Sequence, residues 1–208
     1  MIEAALHAAG FSPIVGIDEA GRGSCAGPIT IAACILPPAL PAELVGLDDS
    51  KKLTPLRRAR LFPLIKELAL SWSIVHISAT DIDRFGIQHA NISGMRRAVA
   101  QLGLTANYAL IDGFGVPGLR QPQLPIIGGD GFARCVSAAS ILAKHARDEL
   151  MIDYAAQYPG YAFEKHKGYG TKVHLDAVRR QGASPIHRYS YANVALAHGQ
   201  WLSEKEHR

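Results

Sequence analysis

Three short apolar runs in this sequence each lead to an aspartate, and that recurrence constrains the fold more than any other feature. Ile14-Val15-Gly16-Ile17 runs into Asp18, Tyr108-Ala109-Leu110-Ile111 into Asp112, and Leu124-Pro125-Ile126-Ile127 passes through Gly128-Gly129 to Asp130. Short apolar runs bounded by Gly, Pro or charge read as buried strands. In an open sheet, strand ends gather at a crevice where ligands bind, so acids far apart in sequence can meet. Glu19 adds a fourth carboxylate beside Asp18.

The segments between these runs supply the partners of an α/β sheet. Ile29 to Leu36 is a further apolar strand, and Gly21 to Gly27 suits the tight reversal before it. Thr54-Pro55 is an N-cap followed by a first-turn proline, predicting a helix toward Leu70 that bends near Pro63. A strand from Trp72 to Ser78 follows. Ile92, Met95, Val99 and Leu102 recur at helical spacing up to Gly103. Pro125 cannot donate to a ladder, which puts its strand at an edge. A long helix spans about Ala133 to Gln157, and its Ser137-Ala138-Ala139-Ser140 segment lacks bulk and can lie close against a sheet. Beyond Pro159 come a loop carrying Lys165 to Gly170 and helices from Thr171 and from Ser190.

With 208 residues, 48% of them hydrophobic and 19% charged, the chain has enough apolar side chains for one core without disulfides or a structural metal. Cys25, Cys34 and Cys135 form no Cys-x-x-Cys pair, which fits a reducing, cytoplasmic compartment. The longest largely apolar stretch is broken by Pro37-Pro38, and Met1 to Gly10 has no signal-peptide pattern, so neither secretion nor a membrane span is expected. Net charge is +4, and the cations cluster: Lys51, Lys52, Arg57, Arg58 and Arg60 in one stretch, Lys165, Lys167, Lys172, Arg179, Arg180 and Arg188 in another. Such clusters are either solvated faces or contacts to a polyanion. His166 and His174 have no second His at i,i+4, so they are expected on the surface or facing phosphate rather than on a metal.

Four carboxylates brought within a few ångströms must be protonated, matched by cations of the protein, or bound to metal. Oxygen ligands without His or Cys select Mg²⁺ or Mn²⁺ rather than zinc, and two such ions can activate a water and stabilise the leaving oxygen of a phosphodiester. Each aspartate alone could equally cap a turn.

Asp18-Glu19-Ala20-Gly21-Arg22-Gly23, Asp49-Ser50-Lys51-Lys52-Leu53, Ile111-Asp112-Gly113, Ser137 to Lys144 and His166-Lys167-Gly168-Tyr169 resemble, in that order, the motifs of the ribonuclease HII family, over about Ile14 to Tyr191. The resemblance implies a ribonuclease H-like mixed five-stranded sheet flanked by helices, with residues 1–158 as catalytic core and 159–208 as a small C-terminal helical region completing the substrate groove. It implies an endoribonuclease that hydrolyses RNA in RNA–DNA hybrids and cuts 5′ of single ribonucleotides in duplex DNA, leaving 3′-OH and 5′-phosphate ends, with a role in removing ribonucleotides from DNA. Asp18, Glu19, Asp112 and Asp130 would hold two Mg²⁺ or Mn²⁺ ions, Asp18 bridging them. Gly21, Arg22 and Gly23 would sense the ribose 2′-OH, Lys51 would approach a phosphate, and Tyr169 would stack on the sugar after the ribonucleotide.

One departure concerns the fourth acid. The family often has Lys-Gly-Asp there, whereas this chain has Gly128-Gly129-Asp130 and so lacks that neighbouring cation. Asp148 is the alternative acid, although it has Lys144 one turn earlier for a partner. Ribonuclease HIII shares the core but adds an N-terminal substrate-binding domain, and the 17 residues before Asp18 lead us to expect none here. A non-catalytic nucleic-acid-binding module would have no use for acids that repel phosphate. A monomer acting on nucleic acid is expected.

Overall fold

The computed structural model describes residues 2–207. Five strands form one mixed sheet: β1 (Ile14–Ala20), β2 (Ile29–Ile35), β3 (Ser71–Ile77), β4 (Tyr108–Asp112) and β5 (Gln123–Ile126), in the order β3-β2-β1-β4-β5. β1 runs antiparallel to β2 and parallel to β4, and β4 runs parallel to β5. This is the ribonuclease H-like mixed sheet expected, with the proline-containing strand at its edge. β1 is nearly all buried, which explains why a parallel, twice-covered strand reads as a continuous apolar run.

Register sets the height of the acids. Ile17 lies opposite Ile111, so Asp18 and Asp112 follow at the same level on neighbouring parallel strands, which run about 4.8 Å apart. Asp112 in turn lies opposite Ile126 on β5.

The chain divides into two compact units. The first comprises residues 1–20, 30–76 and 91–146. Residues 134–146 of α5 (Arg134–Gln157) belong to this unit and pack against the sheet. Gly16 faces this helix so closely that an added Cβ would sit 2.1 Å from the Cys135 carbonyl carbon. The absence of a side chain at Gly16 makes that approach possible, and Leu110, Val136, Ile141, Leu61 and Ile65 fill the core with the buried Ser137-Ala138-Ala139-Ser140 stretch. α2 (Pro55–Leu68) starts as expected, Thr54 accepting a hydrogen bond from the Arg57 N–H.

The second unit comprises residues 21–29, 77–90 and 147–208. Its core is Met151, Phe163, Ala177, Val178 and Ala197, drawn from the end of α5, α6 (Phe163–His166), α7 (Lys172–Gln181) and α8 (Ala192–Glu206).

Several elements depart from the sequence reading. α1 (Ile2–Ala8) is too short for a periodic signal and buries no residue fully. α3 (Ala79–Phe85) is announced only by its cap, Ser78 accepting from the Asp81 N–H. α4 (Ile87–Ala100) begins five residues before Ile92 because Gly86, at φ 82°, separates it from α3. Lys165 and His166 belong to the helical turn α6 rather than to a loop. The three cysteines are free and buried, and no helix among the described residues is long and apolar enough to cross a membrane.

Candidate active site

Asp18 sits on the face of β1 that also carries Gly16, the face against α5. Its side chain is buried and is hydrogen-bonded by the Ser140 hydroxyl and, at 2.6 Å, by the Glu19 N–H. Burial first, then the charges of Glu19 and Asp112, push its carboxyl well above the usual range, against the pull of those two hydrogen bonds. Asp112 ends β4 and accepts the Gly129 N–H at 2.7 Å, which ties it to the turn Gly129–Gly131 that carries Asp130. Gly128 enters that turn at φ 70°, a conformation disfavoured for side-chain-bearing residues.

Asp130 is 4% exposed, and its Oδ2 has no hydrogen-bond partner. Burial, a hydrogen bond shared with the Asp49 side chain, and the charges of Asp49 and Asp112 raise its carboxyl to about 6. Asp49 moves the other way: the Lys51 N–H, Asp130, Lys51 and Lys52 together outweigh its own desolvation and lower it. The two carboxyls are thus coupled, Asp130 shifted up and Asp49 down. Asp49 belongs to the motif Asp49 to Leu53 but was not singled out in the sequence. Its partner is 81 residues away, so only the fold reveals the pairing.

The Asp49–Leu53 turn also brings Lys51 to the acids. Asp49 Oδ1 accepts the Lys51 N–H at 2.8 Å, and buried Arg58 donates to the carbonyls of Ser50 and Leu53 at 2.9 and 2.7 Å. The Ser50 and Ser140 hydroxyls lie 2.8 Å apart, linking this turn to Asp18. Desolvation lowers Lys51, but Asp18, Asp130, Asp49 and Asp112 more than reverse it, so the ammonium titrates above its ordinary value. Lys51 is thus a cation beside these acids, and its charge lowers Asp130 against the other influences. Asp148, the alternative acid, lies in the second unit, where its charge acts on Arg147.

In the second unit the Gly21–Pro28 segment is held by two buried arginines that donate only to uncharged partners. Arg147 donates to the carbonyls of Pro28, Ala26 and Lys167 at 2.9–3.1 Å. Arg188 donates to those of Gly21, Arg22 and Gly27 and to the Tyr191 hydroxyl at 2.7–3.1 Å. Burial, then the charge of Arg188, lowers Arg147 to about 10. Gly21 is required by this packing: its φ is 85°, and an added Cβ would fall 1.9 Å from Arg147 Nε. Gly23 meets no atom within 4 Å and has no positive φ, so nothing in the fold itself demands a glycine there. The Arg22 guanidinium reaches Gln88 Oε1 at 2.8 Å. Tyr169 is 42% exposed, with the Arg147 guanidinium carbon 5.8 Å from its ring centre.

Three sequence readings need correction here. Arg188 and Arg58 are buried and bonded to carbonyls, so they are not part of an exposed phosphate-facing cluster. Arg179 is engaged with Asp176 at 2.6 Å and with Gln200 at 2.9 Å. His174 is not a surface residue: it is fully buried against Phe163 and hydrogen-bonded to His187. Spacing along a helix does not reveal a partner 13 residues away in another segment.

The donor set can be tested against a divalent cation. Among the described residues no three His, Cys, Asp or Glu side chains by themselves form a group that could hold a metal ion. The chemistry nevertheless fits a hard cation: the donors are carboxylate oxygens, Asp18 is destabilised by like charge, and a buried Asp130 oxygen has no partner. Mg²⁺ characteristically takes one or two carboxylates and completes its shell with water and substrate phosphate, so an open carboxylate set suits it.

The family model for Ribonuclease HII matches residues 15–194. Ribonuclease HII of Corynebacterium diphtheriae is 62% identical over 203 residues, covering 98% of this chain and 89% of that protein. Among solved structures, ribonuclease H2 from Pyrococcus horikoshii OT3 superposes with a TM-score of 0.79 at 22% identity, covering 91% of this chain and 98% of that one. Bst-RNase HIII in complex with Mn²⁺ superposes at 0.69 with 20% identity, covering 94% and 71% respectively.

Proposed function

Since this chain belongs to the ribonuclease HII family and is accordingly a ribonuclease H-type endoribonuclease, we propose that it hydrolyses RNA in RNA–DNA hybrids and cuts 5′ of single ribonucleotides in duplex DNA. The products would carry 3′-OH and 5′-phosphate ends, which suits the removal of ribonucleotides from DNA. The observation that carries this reading is the convergence of Asp18 within β1, Asp112 at the end of β4 and Asp130 in the turn after β5, with Asp18 raised by burial and then by the charges of Glu19 and Asp112.

Asp18, Glu19, Asp112 and Asp130 would hold two divalent ions, Mg²⁺ or Mn²⁺. The solved Bst-RNase HIII structure of like fold contains Mn²⁺, which supports a divalent cation here by analogy. When bound, such ions supply a nucleophilic water and stabilise the leaving oxygen. The chain's own residues do the rest. The hydrogen bonds from Glu19 N–H and Ser140 hold Asp18 in place and favour its ionised form. Lys51 offsets part of the negative charge of the cluster, so that a phosphodiester can approach. Gly21, Arg22 and Gly23 would read the 2′-OH at close range. Gly23 has open space around it, which gives a ligand room that a side chain would occupy. Tyr169 would stack on the next sugar.

The test is cleavage of a duplex containing one ribonucleotide, with and without chelator, and with both ends mapped. Metal-dependent nicking with a 5′-phosphate on the ribonucleotide is expected. A 2′,3′-cyclic phosphate, or equal cutting of an all-DNA duplex, would refute the reading.

A further inference from the structure

Two fully buried histidines, His174 and His187, take no part in the chemistry above, yet their ring nitrogens lie 2.9 Å apart. We propose that they form a positioning pair that fixes Tyr169, and with it the preference for a ribonucleotide–deoxynucleotide junction. The inference rests on the role of Tyr169 stated above.

The proton arrangement follows from the partners. The Tyr169 carbonyl lies 2.9 Å from His174 Nδ1 and can only accept, so Nδ1 carries the proton. In the neutral ring His174 Nε2 is then an acceptor, and His187 Nε2 must donate to it. That leaves His187 Nδ1 as an acceptor, and the Ser184 N–H meets it at 2.9 Å. Every donor in the chain from Ser184 through His187 and His174 points toward Tyr169. Protonating His174 would set two N–H groups against each other. Burial lowers His174 to about 4 and His187 to about 3, consistent with two neutral rings.

The same turn is held on its other side. His166, stacked 4.5 Å from His174, accepts the Gly168 N–H at 3.2 Å and donates to the Tyr161 carbonyl at 2.8 Å. The Tyr169 carbonyl also accepts the Thr171 N–H at 2.8 Å. With its backbone fixed in this way, the Tyr169 ring projects with two fifths of its surface exposed.

His187 connects this turn to the segment proposed to sense the ribose. Its main chain bridges Ala26, the flanking Arg188 N–H donates to Cys25 at 2.8 Å, and Ile186 accepts the Gly27 N–H at 2.8 Å. The Gly168 carbonyl accepts from Cys25 and Ala26 at 2.8 and 3.2 Å. The turn at Tyr169 and the Gly21–Gly27 segment are thus one hydrogen-bonded assembly, with the histidine pair fixing the aromatic end.

Two variants separate positioning from mere packing. His174→Leu fills the space without a donor. His174→Asn keeps an N–H near the position of Nδ1. The readout is the ratio of kcat/KM on a duplex with one ribonucleotide to that on a long RNA–DNA hybrid. His174→Leu should lower this ratio about tenfold, within what loss of aromatic stacking can cost, and His174→Asn should restore most of it. In a Tyr169→Ala background, His174→Leu should change the ratio no further. Equal losses on both substrates, or the same change without Tyr169, would overturn the proposal. Nitrogen-15 spectra of the wild-type protein need no variant: His174 should be the Nδ1–H tautomer and His187 the Nε2–H tautomer at neutral pH, and the reverse assignment would equally overturn it. Failure of the wild type to cut at any ribonucleotide would instead refute the activity reading, a distinct result.

Discussion

Acidification from about pH 7.5 to about pH 5 should cost the folded protein roughly 4 kcal/mol through His174 and His187 alone. Both rings are buried without a carboxylate partner, and burial lowers them to about 4 and about 3. The charges of His166 and His198 act in the same direction, while the hydrogen bonds to the Tyr169 and Ser184 backbones oppose it. In the unfolded chain the same rings titrate near their ordinary value of about 6.5. The unfolded state therefore binds protons first, so stability is fully present above about pH 6.5 and falls as pH drops toward the folded-state values. At pH 5 an unfolded histidine has gained about 2 kcal/mol of protonation free energy that the buried ring cannot match. Two rings give about 4 kcal/mol, a large share of the roughly 5–15 kcal/mol of a typical domain. Urea unfolding across this range, comparing wild type with a His174→Asn/His187→Leu double variant, isolates the effect. The remaining titratable groups act in both proteins and largely cancel, so the difference in slope, not in level, carries the result. Parallel pH dependences would show that the pair is not held neutral.

Three further outcomes are expected. Asp112→Asn should nearly abolish cleavage and the rise in unfolding midpoint that Mg²⁺ or Mn²⁺ gives the wild type, while the metal-free variant unfolds no more easily, because the amide oxygen can still accept from Gly129 and one charge of a repelling set is gone; near-normal turnover or an unchanged metal effect in melting experiments would refute this. Gly16→Ala places a Cβ 2.1 Å from backbone of α5 and should cost more than the roughly 1–3 kcal/mol of ordinary overpacking, a loss under about 1 kcal/mol in urea denaturation contradicting the packing described. Changing Lys165 and Lys167 together to Ala should flatten the slope of log affinity against log salt by about one to two units if both meet phosphate, and an unchanged slope in binding titrations would assign them to a solvated face.

Much of this molecule is legible in local pattern. Strands β1, β2 and β4 are written as apolar runs because both faces of the strand are covered. The edge position of β5 follows from Pro125, which has no N–H to give a neighbour on both sides. Asp112 and Asp130 could be named from the apolar runs they follow, whereas β1 does not stop at its apolar run but continues through Asp18 and Glu19 to Ala20, paired with β2. α3 left only a cap, and α1 is too short for periodicity to accumulate.

The state of those acids was decided by tertiary structure alone. That Asp130 is shifted up and Asp49 down as a coupled pair, and that Lys51 sits beside these acids, depend on a turn folded against a strand end from far along the chain. The basic clusters show the same limit. Lys51 and Arg58 belong to one run of positive charge, yet one faces carboxylates while the other is buried among carbonyls. Likewise nothing in the spacing of His174 and His187 marks them as a pair. Periodicity reports which side of an element is buried. Protonation and charge pairing depend on distances across the fold, and those exist only after the elements have packed.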